Sequence, residues 1–203
     1  MATELDAYLS RIRPYVRGCP DATMRDTLRV VLRDICQRVN IWWYEERMYL
    51  ATGIADYDIG VPAGSELATV QRLVAPDGTA LVNDDQLPVF NSPGSPRFFR
   101  HHLGNRLTVA PVPSKGALYT LELTLKPAID ATTIDDAVYA ATAEFAPWGV
   151  LAELQRIPGT DWSDPQQANE NHIRFNQVLN RKRVSALVGH SSSQHTIQGR
   201  RFV

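Results

Sequence analysis

Tyr119-Thr120-Leu121-Glu122-Leu123-Thr124-Leu125-Lys126 alternates apolar and polar residues without a break. A strand turns successive side chains to opposite faces, so this stretch predicts a β-strand with Tyr119, Leu121, Leu123 and Leu125 buried and Thr120, Glu122, Thr124 and Lys126 wet. Backwards from it, the chain to Ile41 is dense in Gly, Pro and β-branched or aromatic residues. Pro76-Asp77-Gly78-Thr79, between Val70–Val74 and Leu81-Val82, reads as a hairpin turn, and Gly104-Asn105, between Phe98–Leu103 and Arg106–Val109, reads as another. Three prolines between Gln86 and Pro96 predict a long loop.

Before Ile41 the period is helical. Leu5, Tyr8, Leu9 and Ile12 predict a short first helix that Pro14 ends, and Met24, Leu28, Val31, Leu32, Ile35 and Val39 form the stripe of a second, capped by Asp21 or Thr23. Trp42, Trp43 and Tyr44 at its exit read as core or subunit packing residues rather than a base-stacking platform. After Pro127 helical spacing returns with Thr133 as cap and Ile134, Val138, Ala141 and Phe145 on one face. Pro147 predicts a kink or a fresh start, and Asp164-Pro165 predicts the start of a last helix that buries Ala168, His172, Phe175 and Leu179. The expected class is α+β: a helical-bundle core from residues 1–44 and 128–189, a β-rich insertion subdomain over 45–127, and an extended C-terminal arm over 190–203.

The 203 residues, 44% hydrophobic and 21% charged, suit one buried core with a modest subdomain and exclude wholesale disorder. Cys19 and Cys36 lack CxxC spacing, so neither a zinc knuckle nor a disulfide framework is expected and a reducing cytoplasm is the default. Glu4, Asp6 and Arg11 are out of place in a signal peptide, and no apolar run approaches the ~20 residues of a membrane span. The expectation is a soluble interaction protein.

Candidate chemistry is thin. Gly189-His190-Ser191-Ser192-Ser193 begins like a nucleophile elbow but lacks the closing glycine and a preceding buried strand. The histidines at 101, 102, 172, 190 and 195 have no metal-ligand spacing, and adjacent His101 and His102 on a strand point to opposite faces. Asp84-Asp85 reads as a loop or cap, and Asp135-Asp136 as first-turn acids at a helix N-terminus. No glycine-rich phosphate loop appears. Catalytic residues, metal and cofactor are therefore all expected to be none, and the chain is not expected to be an enzyme.

Charge is uneven. From Asn171 onward there is no Asp or Glu, whereas Arg174, Arg181, Lys182, Arg183, Arg200 and Arg201 are present. Fixing a tail costs ~1–2 kcal/mol per residue, whereas burying Phe202 or Val203 returns ~1.5–3 kcal/mol each, so the arm is expected to order only by docking on a larger assembly. Arg181, Lys182 and Arg183 are a possible basic contact surface, for nucleic acid in a rival reading.

With these elements placed, the chain resembles the bacteriophage head-to-tail adaptor (neck or connector) proteins. The similarity is carried by Cys19-Pro20-Asp21 before a helix containing Leu32-Arg33-Asp34-Ile35-Cys36-Gln37-Arg38, and by the Tyr-Asp segment within Gly53–Ile59. It continues through Trp148-Gly149-Val150-Leu151-Ala152-Glu153-Leu154, Pro158-Gly159-Thr160-Asp161-Trp162-Ser163-Asp164-Pro165, the helix through Phe175, and the terminal Gly199-Arg200-Arg201-Phe202. The resemblance implies a structural virion protein at the neck, made in the host cytoplasm, that is monomeric until it assembles as a ring, a dodecamer, on the portal protein. The arm residues Ile197, Arg200, Arg201, Phe202 and Val203 would bind the portal. Phe98, Phe99 and Leu107 would meet the next tail component (nozzle, tail tube or tail-completion protein), and genomic DNA would pass through the channel without sequence-specific binding. No membrane partner is implied. A stopper or tail-joining ring is the alternative within the same class.

Overall fold

The computed structural model describes residues 2–90 and 92–188. In chain order they form β1 (Ala2–Glu4), α1 (Asp6–Leu9), a 3-10 turn (Arg13–Tyr15), α2 (Asp21–Val39), β2 (Trp43–Leu50), β3 (Asp56–Asp58), β4 (Ser65–Val74) and β5 (Val82–Asn83). There follow β6 (Phe98–His102), β7 (Arg106–Ala110), β8 (Ala117–Pro127), β9 (Thr133–Asp135), α3 (Asp136–Thr142), α4 (Ala146–Leu154) and α5 (Pro165–Val188). The expected helical-bundle core is overturned. The described chain is a mixed α/β fold, rich in strands, with five helices and nine strands in three sheets. Two of the strands, β1 and β9, pair antiparallel within segments read as purely helical. At three residues each they are too short to display a period of 2. The arm expected over 190–203 lies outside the described residues.

The stretch that opened the reading is β8, the centre of an antiparallel sheet ordered β2-β8-β4. Leu121, Leu123 and Leu125 are fully buried on one face, together with Met48, Leu50, Val70 and Leu73 from the flanking strands. This face shares a hydrophobic cluster with Phe99, Leu107 and Val109 of the four-stranded sheet β3-β7-β6-β5. Thr124 was expected to be wet and is completely buried. The reason is α2, which packs against β8 and ends at Asn40, whose Oδ1 stands 3.5 Å from the Thr124 hydroxyl. A sheet face seating a helix does not read as a wet face, and the alternation in sequence is blind to that.

Both predicted turns are present. Ala75 N donates to Thr79 O at 2.8 Å with Gly78 at φ 86, and β6 and β7 pair antiparallel across Gly104 (φ 74) and Asn105 (φ 27). After the first turn, however, the chain stays with β4 only as far as Leu81, whose N bonds Leu73 O, and then leaves as β5, parallel to β6 in the other sheet.

The helices bury a second, separate cluster. It draws Leu28, Leu32 and Ile35 from α2, Val150 and Leu154 from α4, Phe175 and Leu179 from α5, and Leu5, Tyr8 and Leu9 from the N-terminal segment. Trp42 is half-buried against both clusters. Local details correct the predicted caps. Pro20 is the N-cap of α2 and no side chain caps that helix; Asp21 instead pairs with Arg13 at 2.6 Å. Asp135, not Thr133, caps α3 by accepting from Ala137 N at 2.8 Å, because Thr133 is already paired in β9 with Glu4. Pro147 marks a fresh start, in the first turn of α4. Asp164 caps α5, accepting from Gln167 N at 3.0 Å. Arg33 ties α2 to the sheet by donating to Pro127 O at 2.5 Å and Glu66 Oε2 at 2.7 Å.

Two buried groups make stability depend on alkaline pH. Burial raises the Tyr8 hydroxyl from 10.0 to about 12, although its hydrogen bond to Thr142 acts the other way, and raises the Cys36 thiol from 9.0 to about 12. In both cases the folded chain holds the proton more tightly than the unfolded chain. The stability this represents is complete below pH 9 and is lost as pH rises from there towards 12. The unfolding free energy from urea titration is expected to be insensitive to these two groups below about pH 8.5 and then to fall, by up to ~1.4 kcal/mol per pH unit for each group ionised in the unfolded chain. Tyr8→Phe and Cys36→Ala each remove one share of that decline.

Candidate interaction surfaces

The side chains with potential for chemistry have structural surroundings. Cys19 and Cys36 are free and buried, and desolvation holds both thiols in the protonated form. His101 and His102 sit side by side on β6. Burial, with a smaller contribution from His102, lowers the His101 pKa, and its Nε2 has no hydrogen-bond partner among the described residues. His102 Nε2 lies 2.9 Å from Thr108 Oγ1, which donates to Asp56 Oδ1 at 2.5 Å. Thr108 spends its proton on Asp56, so His102 donates to the hydroxyl and does not activate it. The chain of bonds ties β6, β7 and β3 together.

Three of the four paired carboxylates anchor local structure, two at backbone amides and one at a side-chain hydroxyl. Asp84 accepts from Gln86 N at 2.8 Å, Asp135 caps α3, and Asp136 accepts from Thr3 Oγ1 at 2.6 Å. Among the described residues no group of three or more His, Cys, Asp or Glu could hold a metal ion. None of their helices is long and apolar enough to cross a membrane. His190, Ser191 and His195 lie outside the described residues.

Of the three residues expected at a tail-side surface, two are interior. Phe99 is 1% exposed and Leu107 is 0% exposed, both in the cluster between the sheets, so neither can touch a partner without unfolding that cluster. The cause is register: Phe99 faces Val109 and His101 faces Leu107, so this face of the β6–β7 hairpin turns inward. Phe98 points the other way and is half-buried, its ring 6.0 Å from Phe90. Beside it lies Phe90, exposed with Val89 in the proline-rich loop, and at the far end of the hairpin Leu103 is 101% exposed at the tip; periodicity singled out none of the three. The one available signal was Leu103 directly before the Gly104 turn, where an apolar side chain cannot reach a core.

The basic candidates are where a contact surface needs them. Leu179 is buried in α5, and Arg181, Lys182, Arg183 and Val184 beyond it are all exposed. At about 100° per residue the three cations wrap round the helix rather than line one side. Ile197, Arg200, Arg201, Phe202 and Val203 lie outside the described residues.

A third exposed surface was not foreseen. The outer face of β2-β8-β4 is covered by α2 only at the Thr124–Lys126 end. On the β2 side of that end Trp43, directly across from Thr124, is 59% exposed, and at the far end Tyr49 (61%) and Leu118 (48%) stand in the open. Of the core or subunit packing expected of Trp43, the core half is overturned, because Trp43 begins a strand whose odd-numbered side chains turn outward. Comparison with protein-family models finds no match to the chain, and comparison with curated proteins finds none either.

Proposed function

We propose that the chain is a structural virion protein, a subunit of the head-to-tail adaptor ring that attaches below a phage portal, extends the DNA channel and offers a docking platform to the tail. The observation that carries this reading is the end of α5: past Leu179 the helix presents Arg181, Lys182 and Arg183 with no acidic neighbour, directly before the segment containing Ile197 and Arg200–Val203. The sequence resemblance to the adaptor proteins supports the same assignment. In this reading the basic helix end and the arm meet the portal, and further copies complete the ring. Phe98 with the exposed Phe90 and Val89 forms the tail-side surface, in place of the interior Phe99 and Leu107.

Co-sedimentation with the portal ring of the same phage tests the assignment. The full-length chain is expected to travel with the ring and a version ending at Gly189 to stay in the supernatant. Binding by both removes the role of the arm, and binding by neither removes the adaptor reading. Binding to another neck ring instead would favour the stopper or tail-joining alternative.

A second reading is favoured by the same three exposed cations, which could neutralise phosphates. A nucleic-acid-binding protein using Arg181, Lys182 and Arg183 would lose affinity with salt at a log–log slope of about −2.7. The triple replacement by Ala would abolish that slope.

A further inference from the structure

We infer that the free edge of β2 pairs antiparallel with the β2 edge of a second copy of this chain, about a two-fold axis at Glu46. The hydrogen-bond phase comes first. Leu125 N bonds Trp42 O, so the even-numbered residues of β2 direct their backbone groups at β8. The N–H and C=O of Trp43, Glu45, Arg47 and Tyr49 therefore point away from it, and no described residue hydrogen-bonds them. An eight-residue strand with an open edge is a template for another strand.

The side chains select the occupant. Along the outer face the order is Trp43, Glu45, Arg47, Tyr49: aromatic, acid, base, aromatic. Run antiparallel against itself about Glu46, this order places Trp43 against the partner copy's tyrosine and Glu45 against its arginine, and the two-fold repeats both pairs. The same register puts Trp43, Glu45, Arg47 and Tyr49 at hydrogen-bonded positions, the ones with free backbone groups. A register displaced by one residue would lose that match.

Within one copy the two charges are poorly provided for. Glu45 lies directly across from Glu122, a like-charge pair, and Glu122 already has Arg72 at 3.5 Å. Arg47 lies across from Thr120 and has no ion pair with a described residue. A second copy supplies the missing partner to each. The inner face carries one opposing feature, the two Glu46 side chains meeting at the axis. Glu46 Oε2 is buried without a hydrogen-bond partner among the described residues. Glu46→Gln replaces the meeting of two carboxylates by amides that can donate to each other, and is expected to tighten the pair.

The contact is isologous and closes at two copies, whereas a ring is built from head-to-tail contacts. It therefore does not rest on the adaptor reading, and since it describes the chain free of other proteins it departs from the monomer which the resemblance implies before ring assembly. Sedimentation equilibrium of the full-length chain over a concentration series tests it. The expected result is a monomer–dimer equilibrium that Arg47→Glu weakens about tenfold, by setting like charges opposite at two symmetric positions. The double variant Glu45→Arg/Arg47→Glu restores it. Since both positions are exposed, rescue by the double variant also separates a lost contact from a lost fold. In the dimer the amides of Glu45 and Arg47 become protected from hydrogen exchange. A chain monomeric up to about 1 mM overturns the inference. So does a dimer indifferent to Arg47→Glu or not rescued by the double variant. Protection of these amides only when a portal ring or another protein is added would give the edge to that partner instead, and would equally overturn it.

Discussion

Phe99→Ala is expected to cost ~3–5 kcal/mol of folding stability, the range for truncating a large buried aromatic. Phe99 is 1% exposed, stands opposite Val109 in the β6–β7 hairpin, and packs in the cluster that joins the two larger sheets. Its carbonyl also receives Asp84 N at 2.9 Å, so the same residue fixes the chain just after β5. The cavity left by the ring opens between two sheets whose own hydrogen bonds resist collapse, which places the cost towards the upper part of the range. For a chain of this length each kcal/mol is worth ~2–4 °C, so the thermal midpoint falls by about 10 °C. Phe98→Ala provides the internal comparison. Phe98 is half-buried against Phe90, so its loss removes less contact and the midpoint moves by a few degrees at most. Equal and small effects for the two variants would mean that Phe99 does not occupy the interior. A binding assay alone could not distinguish them, since an unfolded β6–β7 hairpin also fails to bind.

That pair of neighbours shows how far the sequence could be read. Gly104-Asn105 announced the hairpin, and two strands flanking a turn fix which residues share a face. Which face turns inward depends on what lies beneath, and Phe98-Phe99 is equally apolar on both sides. Thr124 is the same problem reversed. Its alternation with Leu123 and Leu125 was legible, but α2 returns to cover it from 84 residues earlier in the chain, a contact no local pattern records. Helix positions fared better, because the stripe from Met24 to Val39 and the Asp164-Pro165 start each carry their information within one or two turns. The failure of the helical-bundle expectation has a plain origin. Strands of three residues such as β1 and β9 have no period, and they exist only through each other. The surfaces follow the same logic: exposed cations at the end of α5 were foreseeable from composition, whereas the open edge of β2 is a consequence of sheet order.

Gly149→Val is the second large effect, and it tests the junction of three helices. A Cβ on Gly149 would lie 2.8 Å from Val31 Cγ1 of α2 and 2.9 Å from Phe175 Cε2 of α5, closer than side-chain carbons approach one another. All three residues are in the buried interior. Two effects compete in Gly149→Ala: a helical alanine gains up to ~1 kcal/mol over glycine, while forcing an extra methyl into a packed core costs ~1–3 kcal/mol. Overpacking wins, because neither a branched valine nor an aromatic ring hemmed in by Phe145 can withdraw by bending a flexible chain. The net loss for alanine is therefore ~1–2 kcal/mol. Valine adds two methyl groups in the same space and forgoes much of the helix gain, so its loss is ~3 kcal/mol or more and unfolds the helical cluster at temperatures the native chain tolerates. Shrinking the obstacle identifies the cause. Phe175→Leu destabilises the native chain, yet combined with Gly149→Ala it should cost less than the two losses added, since one change makes the room the other needs. Strict additivity, or a stabilised Gly149→Ala, would show that α2, α4 and α5 do not meet at this glycine.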